Sequence, residues 1–391
     1  MKEWKTYKLS EIGQVIGGAT PSTKVASNYD GDIAWITPKD LSLLSGRYVY
    51  KGERCITEAG YKSCSCQMLP AGSILFSSRA PIGYIAIAGN ELCTNQGFKS
   101  VVPNPEIVNS HFLYYLLSYE KNRIAEMGSG TTFMEISGNV MKNIEVKLPD
   151  LSIQNKIAEI LTSLDEKIEN NKRINDNLEQ QAQNIFNYYF INNPIELGSY
   201  SEGVLTDIAV YLNGLAMQKF RPEGSDFGLP VLKIKELGQR SCDNNSDRCS
   251  SLIKEEYIVN DGDVIFSWSG TLLVDLWCGG KCGLNQHLFK VTSDTYPKWF
   301  YYFWTKHHLD NFIRVAKDKA VTMGHIKRTE LEKANIIVPT QDKLSEINRI
   351  MSPIITKIIN HRVEMRKLGQ LRDIILPQLM SGELKINEID C

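Results

Sequence analysis

The 391-residue chain has no excess of either charge, since 44 Lys and Arg residues oppose 45 Asp and Glu residues and give a formal net charge of −1. Nucleic-acid-binding domains are usually clearly basic, so such a role would require basic loops on one face or a partner that supplies further contacts. No apolar run approaches the roughly 20 residues of a membrane-spanning helix. The first 14 residues also lack the apolar stretch of a signal peptide.

Cysteine is present but forms no framework. The nine cysteines are odd in number and scattered, which favours reduced thiols and a cytoplasmic location. The closest groupings, Cys64-Ser65-Cys66 and Cys278-x3-Cys282, lack the second Cys or His pair of a zinc site. We therefore expect no metal site.

Catalytic motifs are equally scarce. The chain has no G-x-x-x-x-G-K-[ST] loop, no Gly-rich dinucleotide loop and no H-E-x-x-H or Ser/His/Asp spacing among its six histidines. Glu145-Val146-Lys147 has the form of a nuclease strand, but no partner acid is evident upstream. The sequence therefore predicts a recognition protein that is not itself an enzyme.

What the sequence does contain is an internal repeat. Residues 74–98 read "ILFSSRAPIGYIAIAGNELCTNQGF" and residues 264–288 read "VIFSWSGTLLVDLWCGGKCGLNQHL". Both stretches run from two aliphatics, Phe and Ser to an Asn-Gln pair. The second copy lies 196 residues after the first at residues 7–18 and 190 residues after it from residue 74 onward. Two units of one design are therefore predicted.

Within each copy, short apolar runs separated by Gly, Ser and Asn predict strands. An aromatic-rich helix is predicted to follow in each copy, at residues 109–127 and 297–316. We expect the aromatics of these helices to lie in the core rather than to form a base-stacking platform.

A long heptad pattern follows Pro149 and Pro339, sustained for about five repeats in each copy. Because both patterns have the same phase, the two helices are expected to pair antiparallel, although each could instead lie on its own domain. Pro353 is expected to kink the second helix or delay its start. Polar residues interrupt both patterns, at Asn171 and Asn175 and at His361 and Arg372. The predicted coiled-coil seam comprises Ile157, Leu161, Leu164, Ile168, Asn171, Asn175, Leu178, Ile347, Met351, Ile354, Ile358, His361, Met365 and Leu368.

Three motifs carry a family resemblance: "LSEIGQVIGGATPST" in the first unit, "LPDLSIQNKIAEILTSLDEKIENN" at the first domain-to-helix junction, and "LGQLRDIILPQLMSGEL" at the end of the second helix. In this order, and with the duplication, the chain resembles the specificity subunit of Type I restriction–modification systems over nearly its whole length.

The resemblance implies an α+β fold in which two target-recognition domains are joined by two long antiparallel coiled-coil helices, with an internal pseudo-twofold repeat. The expected segments are target-recognition domain 1 at residues 1–149, a first spacer helix at 150–192, target-recognition domain 2 at 193–339, a second spacer helix at 340–381 and a tail at 382–391. Each helix would be about 50–55 Å long at ~1.5 Å per residue. That length corresponds to about 15 base pairs of duplex.

The resemblance further implies that each domain reads one half of a split, asymmetric DNA sequence. Two partner modification subunits would bind S-adenosylmethionine and methylate adenine N6, and restriction subunits that use ATP and Mg would cleave unmodified DNA. This chain would bind none of these cofactors. The competing hypothesis is a tandem binding module for a glycan or protein, dimerised by its coiled coil; a further alternative is an enzyme with an unrecognised site between the units.

Base reading requires forked donors or amides on loops. The predicted base contacts are Thr20, Ser22, Lys24, Ser78, Arg79, Gln96 and Lys99 in the first unit and Gln218, Lys219, Arg221, Trp268, Gln286, His325 and Lys327 in the second. Four residues that recur in both copies are predicted to contact phosphate, which positions without specifying: Ser77, Ser267, Lys39 and Lys235. Asn95 and Asn285 are as readily expected to hold their own loops.

Overall fold

A computed structural model describes residues 4–79, 81–129, 134–318 and 325–384. The chain divides into two compact units, one made of residues 1–166 with 369–391 and the other of residues 167–368. Each unit thus combines a globular α+β region with a stretch of both long helices. The predicted linear segments remain a prediction, and residues 385–391 of the predicted tail lie outside the described residues.

The first globular region alternates short strands and short helices. Its strands are β1 (Lys5–Lys8), β2 (Gly13–Gly17), β3 (Tyr29–Ile36), β4 (Tyr48–Val49), β5 (Cys55–Ile56), β6 (Ile74–Ser78), β7 (Ile82–Ala88), β8 (Cys93–Thr94), β9 (Lys99–Pro103) and β10 (Glu145–Leu148). Its helices are α1 (Leu9–Ile12), α2 (Pro38–Ser42), α3 (Glu58–Lys62), α4 (Ser110–Glu126) and α5 (Gly138–Lys142), followed by the long α6 (Leu151–Asn187).

The strands of the first unit form two sheets and a separate pair. One sheet has the order β2-β9-β6-β7-β4, the other has the order β5-β3-β8, and β1 pairs with β10. The central strand β6 consists of "ILFSS" and is buried at every residue, as its aliphatic and aromatic composition favours. Helix α4 begins where it does because the Asn109 side chain accepts a hydrogen bond from the Phe112 amide at 3.0 Å.

The second unit has a similar order of elements. Its strands are β11 (Tyr200–Val204), β12 (Val210–Asn213), β13 (Leu229–Leu232), β14 (Arg248–Cys249), β15 (Ile258–Val259), β16 (Val264–Ser267), β17 (Leu273–Leu276), β18 (Cys282–Leu284), β19 (Leu288–Thr292) and β20 (Asn335–Pro339). Its helices are α7 (Leu205–Ile208), α8 (Ile234–Gln239), α9 (Lys298–His307), α10 (Leu309–Asp318), α11 (Arg328–Leu331) and the long α12 (Gln341–Ser381).

Strand register shows that the two units share one fold. The sheets of the second unit have the orders β12-β19-β16-β17 and β14-β13-β18-β15. The parallel pairing of Ile36 with Thr94 recurs as Leu232 with Leu284. The predicted internal repeat is therefore confirmed at the level of strand pairing.

The aromatic helices pack into the cores, as predicted. The predicted helix at 297–316 is two helices, α9 and α10, because the helical pattern breaks at His308. Trp299, Phe300 and Trp304 of α9 are buried in one core with residues of both long helices. Such aromatics are not available as a base-stacking surface.

The long helices pair antiparallel, as contacts within the second unit show. Asn171 Nδ2 donates to Glu364 Oε2 at 2.7 Å, and Asn175 Nδ2 donates to the Ile358 carbonyl at 3.0 Å. Asn175 Oδ1 also lies 3.0 Å from His361 Nδ1. Contacts move to lower numbers on α12 as they move to higher numbers on α6, which defines the antiparallel direction and confirms the predicted pairing.

The predicted seam residues of α6 and α12 are all buried or half-buried. Those that are buried are Ile157, Leu161, Asn171, Asn175, Ile347, Met351 and Ile358, and those that are half-buried are Leu164, Ile168, Leu178, Ile354, His361, Met365 and Leu368. Ile355 and Arg362 are buried as well, outside the two predicted heptad positions. The buried stripe is wider than a two-position seam because each helix also packs against a globular region.

Pro353 does not delay the start of α12, so the expected delay was wrong, whereas the alternative of a kink stays a prediction. The helix begins at Gln341 and continues through Pro353. Proline has no N–H to donate to the carbonyl of Arg349, four residues earlier, but both residues are exposed, so water can bond that carbonyl. None of the helices in the described ranges is long and apolar enough to cross a lipid bilayer.

Candidate nucleic-acid interface

The Asn-Gln pair of the first unit forms a turn after β8. The Asn95 amide donates to the Ile36 carbonyl at 2.9 Å, and Asn95 Oδ1 accepts from the Gly97 amide at 2.8 Å. Asn95 therefore holds its own loop, and the next side chain, Gln96, is exposed. Thr20 donates through Oγ1 to Gln96 Oε1, which joins two predicted base contacts.

The Asn-Gln pair of the second unit makes the same turn after β18. The Asn285 amide donates to the Leu232 carbonyl at 3.2 Å, and Asn285 Oδ1 accepts from the His287 amide at 3.3 Å. Gln286 Oε1 is buried without a hydrogen-bond partner in the part of the chain that the structure describes. An unpaired buried acceptor of this kind costs free energy.

A glycine at the same position in each copy allows a second loop to approach this turn. The Ala19 amide donates to the Thr94 carbonyl at 3.0 Å, as the Leu215 amide does to the Leu284 carbonyl at 3.0 Å. A Cβ atom on the preceding residue, Gly18 or Gly214, would overlap backbone oxygens of the turn. The backbone is therefore held against the Asn-Gln turn just before the loops that carry the predicted contacts at residues 20–24 and 218–221.

At the end of β6, three charged side chains meet. Glu135 Oε2 lies 3.6 Å from Arg79 Nη1, and Glu135 Oε1 accepts from Lys99 Nζ at 3.3 Å. The backbone at this point is held by the Ile136 amide, which donates to the Ser78 carbonyl at 2.9 Å. The structure thus brings Arg79 and Lys99 together around an acid that the sequence analysis did not select.

The equivalent position in the second unit is aromatic instead of charged. The Ile326 amide donates to the Trp268 carbonyl at 3.1 Å, which repeats the backbone contact of the first unit. Trp268 Nε1 donates to Asn213 Oδ1 at 3.0 Å, and its ring centroid lies 5.9 Å from that of His287 and 6.4 Å from that of His325. Trp268 is half-buried, whereas both histidines are exposed.

The predicted contacts on the remaining loops are exposed. They are Ser22 and Lys24 in the first unit and Gln218, Lys219, Arg221 and Lys327 in the second. Gln218 and Arg221 line a small cavity together with Lys233, Arg248 and Asn285. Lys233 donates to Asp247, and this interaction lowers the pKa of the Asp247 carboxyl. Met217, Val231 and Asp247 line the cavity as well. Five of the eight lining residues are thus basic or amide residues, which are the groups that bind phosphates and base edges.

The two recurring lysines sit in ion pairs. Lys39 Nζ lies 2.6 Å from Glu53 Oε2, and Lys235 Nζ lies 3.7 Å from Asp243 Oδ2. Hydrogen bonding to Glu53 and the charge of that carboxylate raise the pKa of Lys39. Both lysines are exposed, so a phosphate would have to compete with the acid for each ammonium group.

Burial corrects the roles predicted for three serines. Ser77, Ser78 and Ser267 have no solvent-exposed surface. The Ser77 hydroxyl donates to the Pro81 carbonyl at 2.8 Å, the Ser78 hydroxyl to the Gly97 carbonyl at 3.1 Å, and the Ser267 hydroxyl to the Ser269 carbonyl at 3.1 Å. These hydroxyls hold strand ends in place, and in this structure they cannot reach a phosphate or a base.

Sequence reasoning missed Glu135, although the repeat contained the signal. Residue 325 was selected, and the position 190 residues before it is Glu135. Lys233 and Arg248, which line the small cavity of the second unit, were also missed. Among the described residues, no three His, Cys, Asp or Glu side chains group as a metal site.

A family model described as "Type I restriction modification DNA specificity domain" matches residues 1–180 and 202–367 of the chain. The chain is 34% identical to the Type I restriction enzyme MjaIX specificity subunit of Methanocaldococcus jannaschii, over 99% of this chain and 95% of that protein. It is 21% identical to the Type I restriction enzyme HindI specificity subunit of Haemophilus influenzae, over 98% of this chain and 100% of that protein.

Among solved structures, the chain is similar to the Type I restriction–modification S subunit from M. genitalium. The TM-score is 0.65 at 15% sequence identity, with 96% of each chain covered. At this level of identity the likeness bears on the fold.

Proposed function

Because the chain belongs to the family of Type I restriction–modification DNA specificity subunits, we propose that each of its two units reads one half of a split, asymmetric DNA target. Family membership itself assigns a DNA-specificity role and makes the chain a non-catalytic subunit of such a system. The proposal concerns how that role is divided within the chain.

One observation carries the division into two half-sites. The two units share backbone hydrogen bonds at the strand end and the Asn-Gln turn but present different side chains there. Arg79 occupies the position of Ser269, and Glu135 occupies that of His325. Because base reading depends on the donors and acceptors that reach the base edges, one frame with two sets of side chains supports two different half-sites.

The amide and basic side chains at these loops suit direct base reading. Arg and Lys pair with guanine, and Gln pairs with adenine. Arg79, Gln96 and Gln286 lie on loops whose backbones are held by hydrogen bonds, and Arg221 borders the basic cavity of the second unit. The near-zero net charge of the chain agrees with partners that supply part of the phosphate contact.

Partner subunits would then supply the chemistry. We assign S-adenosylmethionine and adenine N6 methylation to two modification subunits, and ATP- and Mg-dependent cleavage of unmodified DNA to restriction subunits. This chain would bind none of these cofactors and would act in the cytoplasm, where host DNA lies. Exposed apolar side chains on α12, Leu371 and Ile374, support docking of a partner on the helices.

The helices α6 and α12 are also proposed to set the gap between the half-sites. A paired coiled coil with buried polar residues has one register, and Asn171 and Asn175 provide such residues in the second unit. Because a single register fixes where each helix lies along its partner, the number of base pairs between the half-sites would be constant.

The test is methylome sequencing of the host with and without this chain. The proposal expects N6-methyladenine in one split motif that disappears on deletion. Replacing residues 1–150 with those of another specificity subunit should then change one half of the motif only. If no methylation depends on the chain, co-purification with a modification subunit distinguishes a silent system from a wrong proposal.

A further inference from the structure

Glu135 stands out among the loops of the first unit because it is an acid between two cations. Its carboxylate lies 3.6 Å from Arg79 Nη1 and 3.3 Å from Lys99 Nζ. An isolated acid would repel phosphates at a DNA-facing surface. Arg79 and Lys99 together with Glu135 instead carry a net charge of one positive unit, so the group as a whole still attracts phosphate. The acid can therefore stand at a DNA-facing surface while it interacts with its two neighbours.

The backbone under this group is fixed on both sides. The Ser78 amide donates to the Gly97 carbonyl at 2.7 Å, and the Ile136 amide donates to the Ser78 carbonyl at 2.9 Å. Ile136 has no solvent-exposed surface, so the loop that carries Glu135 is anchored in the core. Arg79 and Glu135 also face each other in an isolated antiparallel bridge. Their side chains therefore start from two backbone segments that these contacts hold next to each other.

The Glu135 carboxylate attracts the Arg79 guanidinium without forming a hydrogen bond to it. A separation of 3.6 Å is an ion pair and not a hydrogen bond, so this contact does not consume the Arg79 donors. The Arg79 and Glu135 side chains are about one-third exposed, at 35% and 36%. A forked guanidinium that lies beside this carboxylate and is partly open to solvent matches the pair of acceptors, O6 and N7, that guanine presents in the major groove.

We propose that Arg79 reads a guanine in the half-site bound by the first unit and that Glu135 is its positioning residue. The inference rests on the proposed function, since it requires that this unit read DNA. Lys99 would add positive charge at the same place, but its ammonium group lacks the forked pair of donors that a guanidinium has.

The second unit supports the inference by contrast. Its equivalent bridge joins Ser269 and His325, with Trp268 beside it, so neither bridge partner is an Arg, Lys, Asp or Glu residue. Ser269 Oγ lies 3.2 Å from His287 Nδ1, so its hydroxyl is engaged with a ring and does not project as a fork. The base pair read at this position should therefore differ between the two half-sites.

The experiment is methylome sequencing of hosts that carry the full system with Arg79→Ala, Arg79→Lys, Glu135→Gln or Glu135→Asp. With R79A, methylation should lose its preference for guanine at one position of one half-site. The expected loss of discrimination is about 5- to 150-fold, the range for one bidentate contact. E135Q should relax the same position to a lesser degree, and E135D, which keeps the charge, should retain more of the preference.

A matched control is the exposed ion pair between Glu58 and Lys62 on α3, in the same unit. E58Q with K62A should leave every position of the motif unchanged. If R79A prevents assembly of the complex, R79K decides the question, because it keeps the charge and removes the fork. Relaxation at one position by R79K would support the inference.

Two results would overturn the inference while leaving the proposed function intact. One is a wild-type split motif that R79A, R79K and E135Q all reproduce base for base. The other is methylation that R79A weakens equally at all sites without a change in thermal unfolding, since uniform weakening marks a phosphate contact. Absence of any split motif with the wild-type chain would instead contradict the proposed function.

Discussion

Removing the buried guanidinium of Arg362 should destabilise the second unit more than any exposed substitution on the same helix. Arg362 Nη1 donates to Asp275 Oδ1 at 2.8 Å and to the Leu276 carbonyl at 2.9 Å, and Nη2 donates to Glu179 Oε1 at 2.7 Å. Burial alone would lower the pKa of Arg362, but the charges of Asp275 and Glu179 outweigh burial and raise it. This residue therefore joins both long helices to β17.

The magnitude follows from what Arg362→Ala leaves behind. Breaking a buried ion pair costs about 3–5 kcal/mol, because the remaining charge stays buried without its partner. The Asp275 side chain is only 7% exposed, but Arg240 Nε lies 2.6 Å from its Oδ2 and would remain. We therefore expect the lower end, about 3 kcal/mol, which for a unit of this size lowers Tm by roughly 6–12 °C.

The assay is thermal unfolding of the full-length chain followed by tryptophan fluorescence and calorimetry. Four of the six tryptophans, Trp268, Trp277, Trp299 and Trp304, lie in residues 167–368 and report on this unit. The control is Arg349→Ala, because Arg349 is exposed on the same helix. A Tm for R362A within about 1 °C of that of R349A would refute the reasoning.

Three further predictions concern the seam and the site. Asn175→Leu should cost about 1–2 kcal/mol because it leaves His361 without this partner, and N175L with H361L should recover most of the loss in a double-mutant cycle; additive losses would contradict this. Burial and nearby lysines lower the pKa of His361, so the unfolded chain binds the proton more readily, and the free energy of unfolding should fall as pH drops below about 6.5. H361Q should weaken that dependence in denaturant titrations between pH 7.5 and 5.5, and an unchanged slope would count against it. Gly18→Ala and Gly214→Ala should each destabilise the chain by about 1–3 kcal/mol, because the added Cβ overlaps the Asn-Gln turn. Gly369→Ala on α12 should instead stabilise it by about 0.5–1 kcal/mol, because an added Cβ meets nothing there and Ala favours a helix. Equal changes of Tm for all three variants in thermal unfolding would contradict the predicted overlap.

Much of the architecture could be predicted from the sequence because it is written as periodicity. The heptads place Asn175 and His361 on facing stripes, and their hydrogen bond lies within the predicted pairing. The Asn-Gln pair is duplicated in the sequence, and the structure gives Asn95 and Asn285 equivalent backbone partners, the carbonyls of Ile36 and Leu232.

The site was less predictable, because a residue that recurs in both copies can either contact DNA or hold the protein backbone in place. Similarity between the copies does not distinguish these two roles. Ser77 and Ser267 recur since their hydroxyls hold strand ends, and the repeat alone could not show that both are fully buried. Glu135 was not predicted as a site residue because its role depends on its ion pairs with Arg79 and Lys99, and both partners lie far from it in the sequence.

The sequence by itself therefore determined the repeat, the strand and helix pattern and the family, since these depend on residues close together in the chain or at a fixed spacing. Only the tertiary structure decided which polar side chains face solvent, which acid pairs with which base and where Arg362 is buried. Those properties depend on contacts between segments far apart in the chain, and a local pattern cannot specify them.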